Sequence, residues 1–314
     1  MDNPFLGQDI INSVSFSKDV LDFLNTYTQK IEKAYQKEQG LDLLKNRILA
    51  SLFFEPSTRT RLSFETAMIR MGGQIITVEQ PMMSSISKGE SLEDTAETVS
   101  RFADIIALRH PMAHSSELFA KHSAAPVMNC GDGSNEHPTQ ALLDLYTINK
   151  EKNLNSRDTP LKVGFIGDLK YGRTVHSLSK VLRHYNSQMV FISKPNLKVP
   201  ESVKSCLKDC KYRFDEVENL FDVIGDLDVL YVTRIQKERF ENEDAYNLAR
   251  NDYLIDQSVL DKSKSDLSIL HPLPRVDEID PRIDEDPRVC FFKQVENGVF
   301  LRMALLSLVL GKTL

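Results

Sequence analysis

The sequence predicts an α/β protein of two doubly wound domains, each with a parallel sheet flanked by helices. Two observations carry this expectation. Short aliphatic or β-branched runs alternate with helical patterns along the chain, which is how strands joined by crossover helices read. The 314 residues amount to two domains at roughly 100–200 residues each, and the polar, aperiodic stretch EKNLNSRDTP at 151–160 divides them. Residues 1–150 and 151–294 are read as the two domains. The apolar helical segment 295–310 needs a partner, and residues 295–314 are expected to pack back on the first domain.

The elements follow in order. The apolar run 47–54 reads as a buried strand. Ser57 stands at an N-cap position for a helix over 58–71, with Phe64, Met68 and Met71 on one face and Gly72-Gly73 as its stop. A strand over 74–78 precedes a polar loop. Ser91, with Asp94 at capping-box spacing, opens a helix over 92–103. Strands are expected at 105–108 and 126–129, and Pro138 suits the first turn of a helix over 138–149. The second half repeats the alternation, with strands at 161–166, 189–192, 228–233 and 267–270. Helices are expected at 174–185, 201–209 and 217–224.

Composition excludes several classes. Lys and Arg total 39 against 45 Asp and Glu, a formal net charge of −6, so a global basic footprint for nucleic acid or anionic membrane is missing. The start Met1-Asp2-Asn3-Pro4 has no basic segment followed by an apolar run, and no signal peptide is expected. No stretch approaches the ~20 apolar residues of a membrane-spanning helix. Four cysteines, Cys130, Cys206, Cys210 and Cys290, are too few for a disulfide framework and fit a reduced, cytoplasmic chain. No second pair at zinc spacing accompanies Cys206 and Cys210, so neither metal nor cofactor is expected.

The chemistry-bearing residues gather where strands end. Ser57-Thr58-Arg59-Thr60-Arg61 places cations in a first helical turn, where the helix dipole disfavours them. Free N–H groups, hydroxyls and a guanidinium there make an anion site; the alternative is a helix start whose arginines pair with carboxylates such as Glu65. Arg109-His110-Pro111 follows the third strand, as a ligand group or as a surface turn. His137-Pro138-Thr139-Gln140 opens a helix, with His137 at the N-cap either to donate to a carbonyl oxygen or only to cap. The run from Gly164 to His176 has strand–loop–helix context but lacks both G-x-G-x-x-G and a P-loop. Asp168 is read as holding this loop, and Arg173 opens the helix. Arg234 follows another strand, and His271-Pro272-Leu273-Pro274-Arg275 makes a stiff turn that suits a cis Leu273–Pro274 bond. Arg59, Arg109, Arg173 and Arg234 thus all stand at strand ends, a pattern for small substrates with several negative charges.

Together these motifs resemble the aspartate/ornithine carbamoyltransferase family, from about residue 7 to the end. Ser57-Thr58-Arg59-Thr60-Arg61 looks like its carbamoyl-phosphate signature, with Arg109-His110-Pro111 and His137-Pro138-Thr139-Gln140 in the family's order. Lys170-Tyr171-Gly172-Arg173-Thr174, Thr233-Arg234-Ile235-Gln236-Lys237-Glu238-Arg239 and the His271–Arg275 turn are similar to the aspartate branch. The ornithine branch would show His-Cys-Leu-Pro and Ser-Met-Gly elements instead. The resemblance implies an active site in the interdomain cleft and carbamoyl transfer from carbamoyl phosphate to L-aspartate, early in pyrimidine biosynthesis. It implies that Ser57, Thr58, Arg59, Thr60 and Arg109 hold the phosphate. Thr60, Arg109 and His137 would polarise the carbonyl. Gln140 and the carbonyls of Pro272 and Leu273 would hold the carbamoyl nitrogen, and Arg173, Arg234 and Gln236 the aspartate carboxylates. The loop 80–90 would reach a neighbouring subunit's site with Ser84 and Lys88, making a homotrimer with shared sites. Regulatory chains or a dihydroorotase partner stay open.

Overall fold

In the computed structural model, which describes residues 2–78, 89–235 and 253–314, the run after Arg47 forms β1 (Ile48–Phe53), buried along nearly its whole length. Ser57 caps α2 (Thr58–Arg70) by position, and Gly72, in the left-handed region at φ +80°, lets the chain turn out of it. It then enters β2 (Gln74–Val78). After α3 (Leu92–Val99), β3 (Ile105–His110), α4 (Ser115–His122) and β4 (Val127–Asp132), the chain enters α5 (Pro138–Lys152). These strands form one parallel sheet in the order β2-β1-β3-β4. The core of Ala50, Leu52, Ile106, Leu108, Phe119 and Val127 lies against it.

The helix α1 (Lys18–Glu38) precedes all of this and was not expected from the sequence. Its signals are present nonetheless: the Ser17 hydroxyl accepts from Val20 N–H, and Leu21, Leu24, Thr28 and Ile31 line a buried stripe.

The second sheet comprises β5 (Leu161–Ile166), β6 (Ser187–Ile192), β7 (Phe214–Val217), β8 (Val229–Val232) and β9 (Ser268–Leu270). All pairs are parallel, in the order β7-β6-β5-β8-β9. α6 (Arg173–Leu182), α7 (Glu201–Asp209) and α8 (Gln257–Lys262) accompany it, and α9 (Phe291–Val309) ends the chain. The expected helix over 217–224 is replaced by the end of β7 and two short 3-10 turns, Leu220–Asp222 and Ile224–Asp226. Asn219 accepts from Phe221 N–H and tightens the first turn, and Gly225 interrupts the second. β7 itself was missed because Phe-Asp-Glu-Val is a polar edge strand, half-buried to exposed throughout.

The chain divides into two compact units, Met1–Leu143 with Val295–Leu314, and Asp144–Gln294. The buried Arg302 of α9 stays in the first unit, donating to Ser63 Oγ at 2.7 Å beneath α2. In each sheet the chain winds one way and then the other from its first strand. That leaves a crevice beyond the carboxyl ends of β1 and β3, and another beyond β5 and β8, where sheets of this kind bind ligands.

Candidate active site

At the first crevice the chain leaves β1 through Phe54-Glu55-Pro56. Ser57 is extended, and its side chain makes no capping bond to α2. Ser57, Thr58 and Arg59 sit half-buried or exposed at the helix start, while Thr60 turns inward and is buried. The alternative role for the arginines holds for one of them: Arg61 Nε lies 3.8 Å from Glu65 Oε1, one turn along.

β3 extends further than the sequence indicated, so Arg109 and His110 are strand residues. Arg109 is nearly buried; its Nη2 donates to Glu55 Oε1 at 3.0 Å and its Nη1 to the Cys130 carbonyl at 3.2 Å. The guanidinium is thereby aimed by the segment leaving β1 and by β4 itself. His110 packs edge-on against Phe54 and accepts Met112 N–H at Nδ1, 3.1 Å away. Burial lowers its pKa although Glu55 and Asp132 pull the other way, so it adds no charge at neutral pH. Burial drives the Cys130 thiol up to about 12 against the pull of Arg302 and Arg109, which removes it as a nucleophile.

β4 likewise runs on through Asp132, and its loop is organised by that residue. Asp132 accepts from the backbone of His114 and Glu136 and from the side chains of Asn129 and Asn135, all at 3.0–3.1 Å. Gly133 takes φ +55°, and a Cβ there would lie 2.7 Å from the Pro111 carbonyl, so the loops after β3 and β4 touch. This loop delivers His137 to the start of α5, where its carbonyl accepts from Gln140 and Ala141 N–H. The imidazole is buried, with Nε2 3.4 Å from Thr60 Oγ1 and Nδ1 3.4 Å from Thr139 Oγ1. Gln140 is buried one turn on. Ser57, Thr58, Arg59, Thr60, Arg109, His137 and Gln140 therefore share one edge of the first sheet.

At the second crevice Gly167 ends β5 with φ +114°, and a Cβ there would lie 2.1 Å from the Thr233 carbonyl. Only glycine lets the ends of β5 and β8 come this close. Asp168 holds the following loop, accepting from Tyr171 N–H at 3.0 Å, and Gly172 caps α6 so that Arg173 is its first residue. Thr233 donates to the Ile166 carbonyl from both N–H and Oγ1, which sets Arg234 beside the β5 end. Next to β8, the end of β9 leads into Pro272, Leu273 and a cis Leu273–Pro274 bond. Arg275 is ion-paired with Asp284 and lies over the Phe291 ring. Arg173, Arg234, Pro272 and Leu273 thus follow three adjacent strands. Ser84, Lys88 and Gln236 lie outside the described residues.

Sequence reasoning missed the part played by Glu55 and Asp132, which hold Arg109 and the loop before His137. Their one signal is a carboxylate within a few residues of each strand-end motif. Among the described residues no group of three His, Cys, Asp or Glu is placed to hold a metal, and no helix is long and apolar enough to cross a membrane.

Comparison with known proteins agrees over both units. The family model for the carbamoyl-P binding domain of aspartate/ornithine carbamoyltransferase matches residues 8–150, and that for the Asp/Orn binding domain matches 159–309. The aspartate carbamoyltransferase catalytic subunit of Clostridium novyi is 46% identical over 309 residues, covering 97% of this chain and 98% of that one. The catalytic subunit of M. jannaschii aspartate transcarbamoylase superposes with a TM-score of 0.89 at 45% identity, over 96% of this chain and 97% of the other. Aspartate transcarbamoylase from Trypanosoma cruzi, solved with carbamoyl aspartate and phosphate, gives 0.90 at 35% identity over 98% of each chain. With both domain models matched and relatives alike over nearly the whole chain, this chain belongs to the aspartate/ornithine carbamoyltransferase family.

Proposed function

We propose that this chain is an aspartate carbamoyltransferase, making N-carbamoyl-L-aspartate and phosphate from carbamoyl phosphate and L-aspartate for pyrimidine biosynthesis. The observation that carries the reading is the pair of cationic strand ends at the two switch points, one rich in hydroxyls and N–H donors, the other flanked by two arginines. Relatives with the same domain pair have been solved with these ligands: the T. cruzi protein holds carbamoyl phosphate and aspartate together.

In this reading the phosphate sits on the N–H groups and hydroxyls of Ser57, Thr58 and Thr60, with Arg59 and Arg109 on its oxygens. Thr60, Arg109 and His137 bind the carbonyl oxygen, and Gln140 with the carbonyls of Pro272 and Leu273 takes the carbamoyl N–H groups. Arg173, Arg234 and Gln236 clamp the two carboxylates of aspartate. The deprotonated amine attacks the carbonyl carbon and a C–N bond forms. Charge grows on the carbonyl oxygen, where Arg109 and the Thr60–His137 pair stabilise it. Collapse breaks the C–O bond to phosphate, and the departing phosphate dianion accepts the amine's second proton. No side-chain base is required; positioning and electrostatics carry the rate.

The assembly we propose is a cytoplasmic homotrimer in which Ser84 and Lys88 complete a neighbour's site. Exposed Leu62 and Ile69, two turns apart on α2, and Ile76 on the edge strand β2 support a covered apolar face there. A product assay tests the reaction: carbamoyl phosphate with aspartate should yield carbamoylaspartate and phosphate in equal amounts. Ornithine, whose cationic side chain meets Arg173 and Arg234, should give no product. Carbamoylation of ornithine instead of aspartate would overturn the assignment.

A further inference from the structure

The turn after β9 is held by buried groups that the reaction above does not use. His271 and Glu278 are 2% and 3% exposed. Leu273 N–H donates to His271 Nδ1 at 2.7 Å, so that nitrogen offers a lone pair and carries no proton. The ring proton sits on Nε2, which donates to Glu278 Oε1 at 2.7 Å. Glu278 Oε2 accepts from the N–H groups of Val276 and Asp277, each at 3.1 Å. From the other side, His271 N–H donates to Gln294 Oε1 at 3.0 Å, and Gln294 Nε2 donates to Asp144 Oδ1 at 2.5 Å.

A buried acid beside an imidazole is a poor way to stabilise a fold, since an apolar pair of similar volume commonly does as well. What this pair secures is the backbone at Leu273, whose φ of +57° lies where a residue with a branched side chain stays only when its surroundings hold it. Burial alone would push the Glu278 carboxyl up, but the hydrogen bond from His271 and the backbone N–H donors, that of Val276 among them, outweigh it and hold the carboxyl below its ordinary value. A charged carboxylate therefore keeps the ring proton on Nε2 and leaves Nδ1 open for Leu273.

We propose that His271 and Glu278 are positioning residues for recognition of the carbamoyl nitrogen. Glu278 fixes the imidazole tautomer, and His271 holds the Leu273 N–H so that the carbonyls of Pro272 and Leu273 face the ligand's amino group. The proposal rests on the reading of those carbonyls as the nitrogen's acceptors.

The test compares carbamoyl phosphate with acetyl phosphate, which carries a methyl group in place of the amine. Binding of each is measured calorimetrically on the full-length protein and on His271→Leu, His271→Asn and Glu278→Gln chains. His271→Leu should weaken carbamoyl phosphate about tenfold, the worth of one or two hydrogen bonds, and acetyl phosphate less than about twofold. His271→Asn, whose Oδ1 can take the place of Nδ1, should recover most of the preference. Should His271→Leu fail to fold, Glu278→Gln carries the same comparison. It keeps an acceptor for Nε2 but gives up the second oxygen, and about a threefold loss of preference is expected. A wild-type preference for carbamoyl phosphate that survives the substitutions, or equal losses for both ligands, overturns the positioning role alone. A wild-type chain that binds both ligands alike overturns the reading of the turn and the positioning role with it.

Discussion

Arg109, at the end of β3, donates to the carboxylate of Glu55, on the segment leaving β1, at 3.0 Å. The cation of one strand end is thus aimed by the carboxylate of its neighbour. Replacing Glu55 by Ala should leave Arg109 charged but less well directed. We expect kcat/KM to fall about ten- to a hundredfold, as for a misplaced catalytic group, with little change in the unfolding midpoint. Steady-state kinetics beside a urea melt would check both halves of this statement.

Arg59 and Arg61 are two residues apart on α2, yet only Arg61 lies beside Glu65. Arg59→Ala should cost about 10²–10³ in kcat, since it removes the charge proposed to hold the leaving phosphate. Arg61→Ala should cost about 1 kcal/mol of stability and little rate, since it removes half of a half-buried ion pair whose atoms are 3.8 Å apart. Equal kinetic losses in the two variants would show that the two arginines are not divided in this way.

Asp228 is buried at the start of β8 and accepts from Lys264 Nζ at 2.8 Å, Lys162 N–H at 2.9 Å and Arg157 Nη2 at 3.3 Å. Burial raises its pKa, but Lys264, Lys162 N–H and Arg157 together win and hold it below the ordinary 3.8. A carboxyl depressed on folding contributes stability fully above 3.8, and that contribution fades as pH falls through the lower folded value. Asp228→Asn should therefore destabilise the protein by about 1–3 kcal/mol at neutral pH. The gap from wild type should narrow in acid below 3.8. Urea titrations at neutral and acidic pH measure that gap; one that is constant with pH would contradict the assignment.

Much of this was legible in the chain itself. The parallel α/β halves follow from runs such as Leu161–Ile166, apolar because both faces of the strand are covered. The candidate ligand groups follow from Arg59, Arg109, Arg173 and Arg234 standing where such runs stop. What stayed hidden lacks a local pattern. The strand Phe214–Val217 is polar because it lies on an edge. Glu55 and Asp132 look like ordinary loop carboxylates until the strand order brings them to Arg109 and to the His137 loop. The Glu278–His271 contact spans seven residues of irregular turn, a separation that no helix or strand periodicity announces.

The proposed shared-site trimer makes a prediction of its own. Lys88→Ala and Arg59→Ala chains should each be nearly inactive alone, because each lacks one half of every site. Refolded together as mixed trimers, they should regain activity, since some sites then combine an intact Arg59 with a neighbour's intact Lys88. Mixed trimers confirmed by mass that stay inactive would argue against sharing.

The central proposal is that this chain binds phosphate at β1, β3 and β4 and a dicarboxylate at β5 and β8. A bisubstrate analogue joining a phosphonate to L-aspartate through an acetyl group tests it by titration calorimetry. The account predicts one site per chain, and a loss of about 2–3 kcal/mol in binding for Arg59→Ala and for Arg234→Ala alike, the worth of charge-assisted hydrogen bonds. Phosphonoacetate, which lacks the aspartate moiety, should bind the Arg234→Ala chain as it binds wild type. An analogue whose affinity ignores Arg234, or matches that of phosphonoacetate, would contradict the claim.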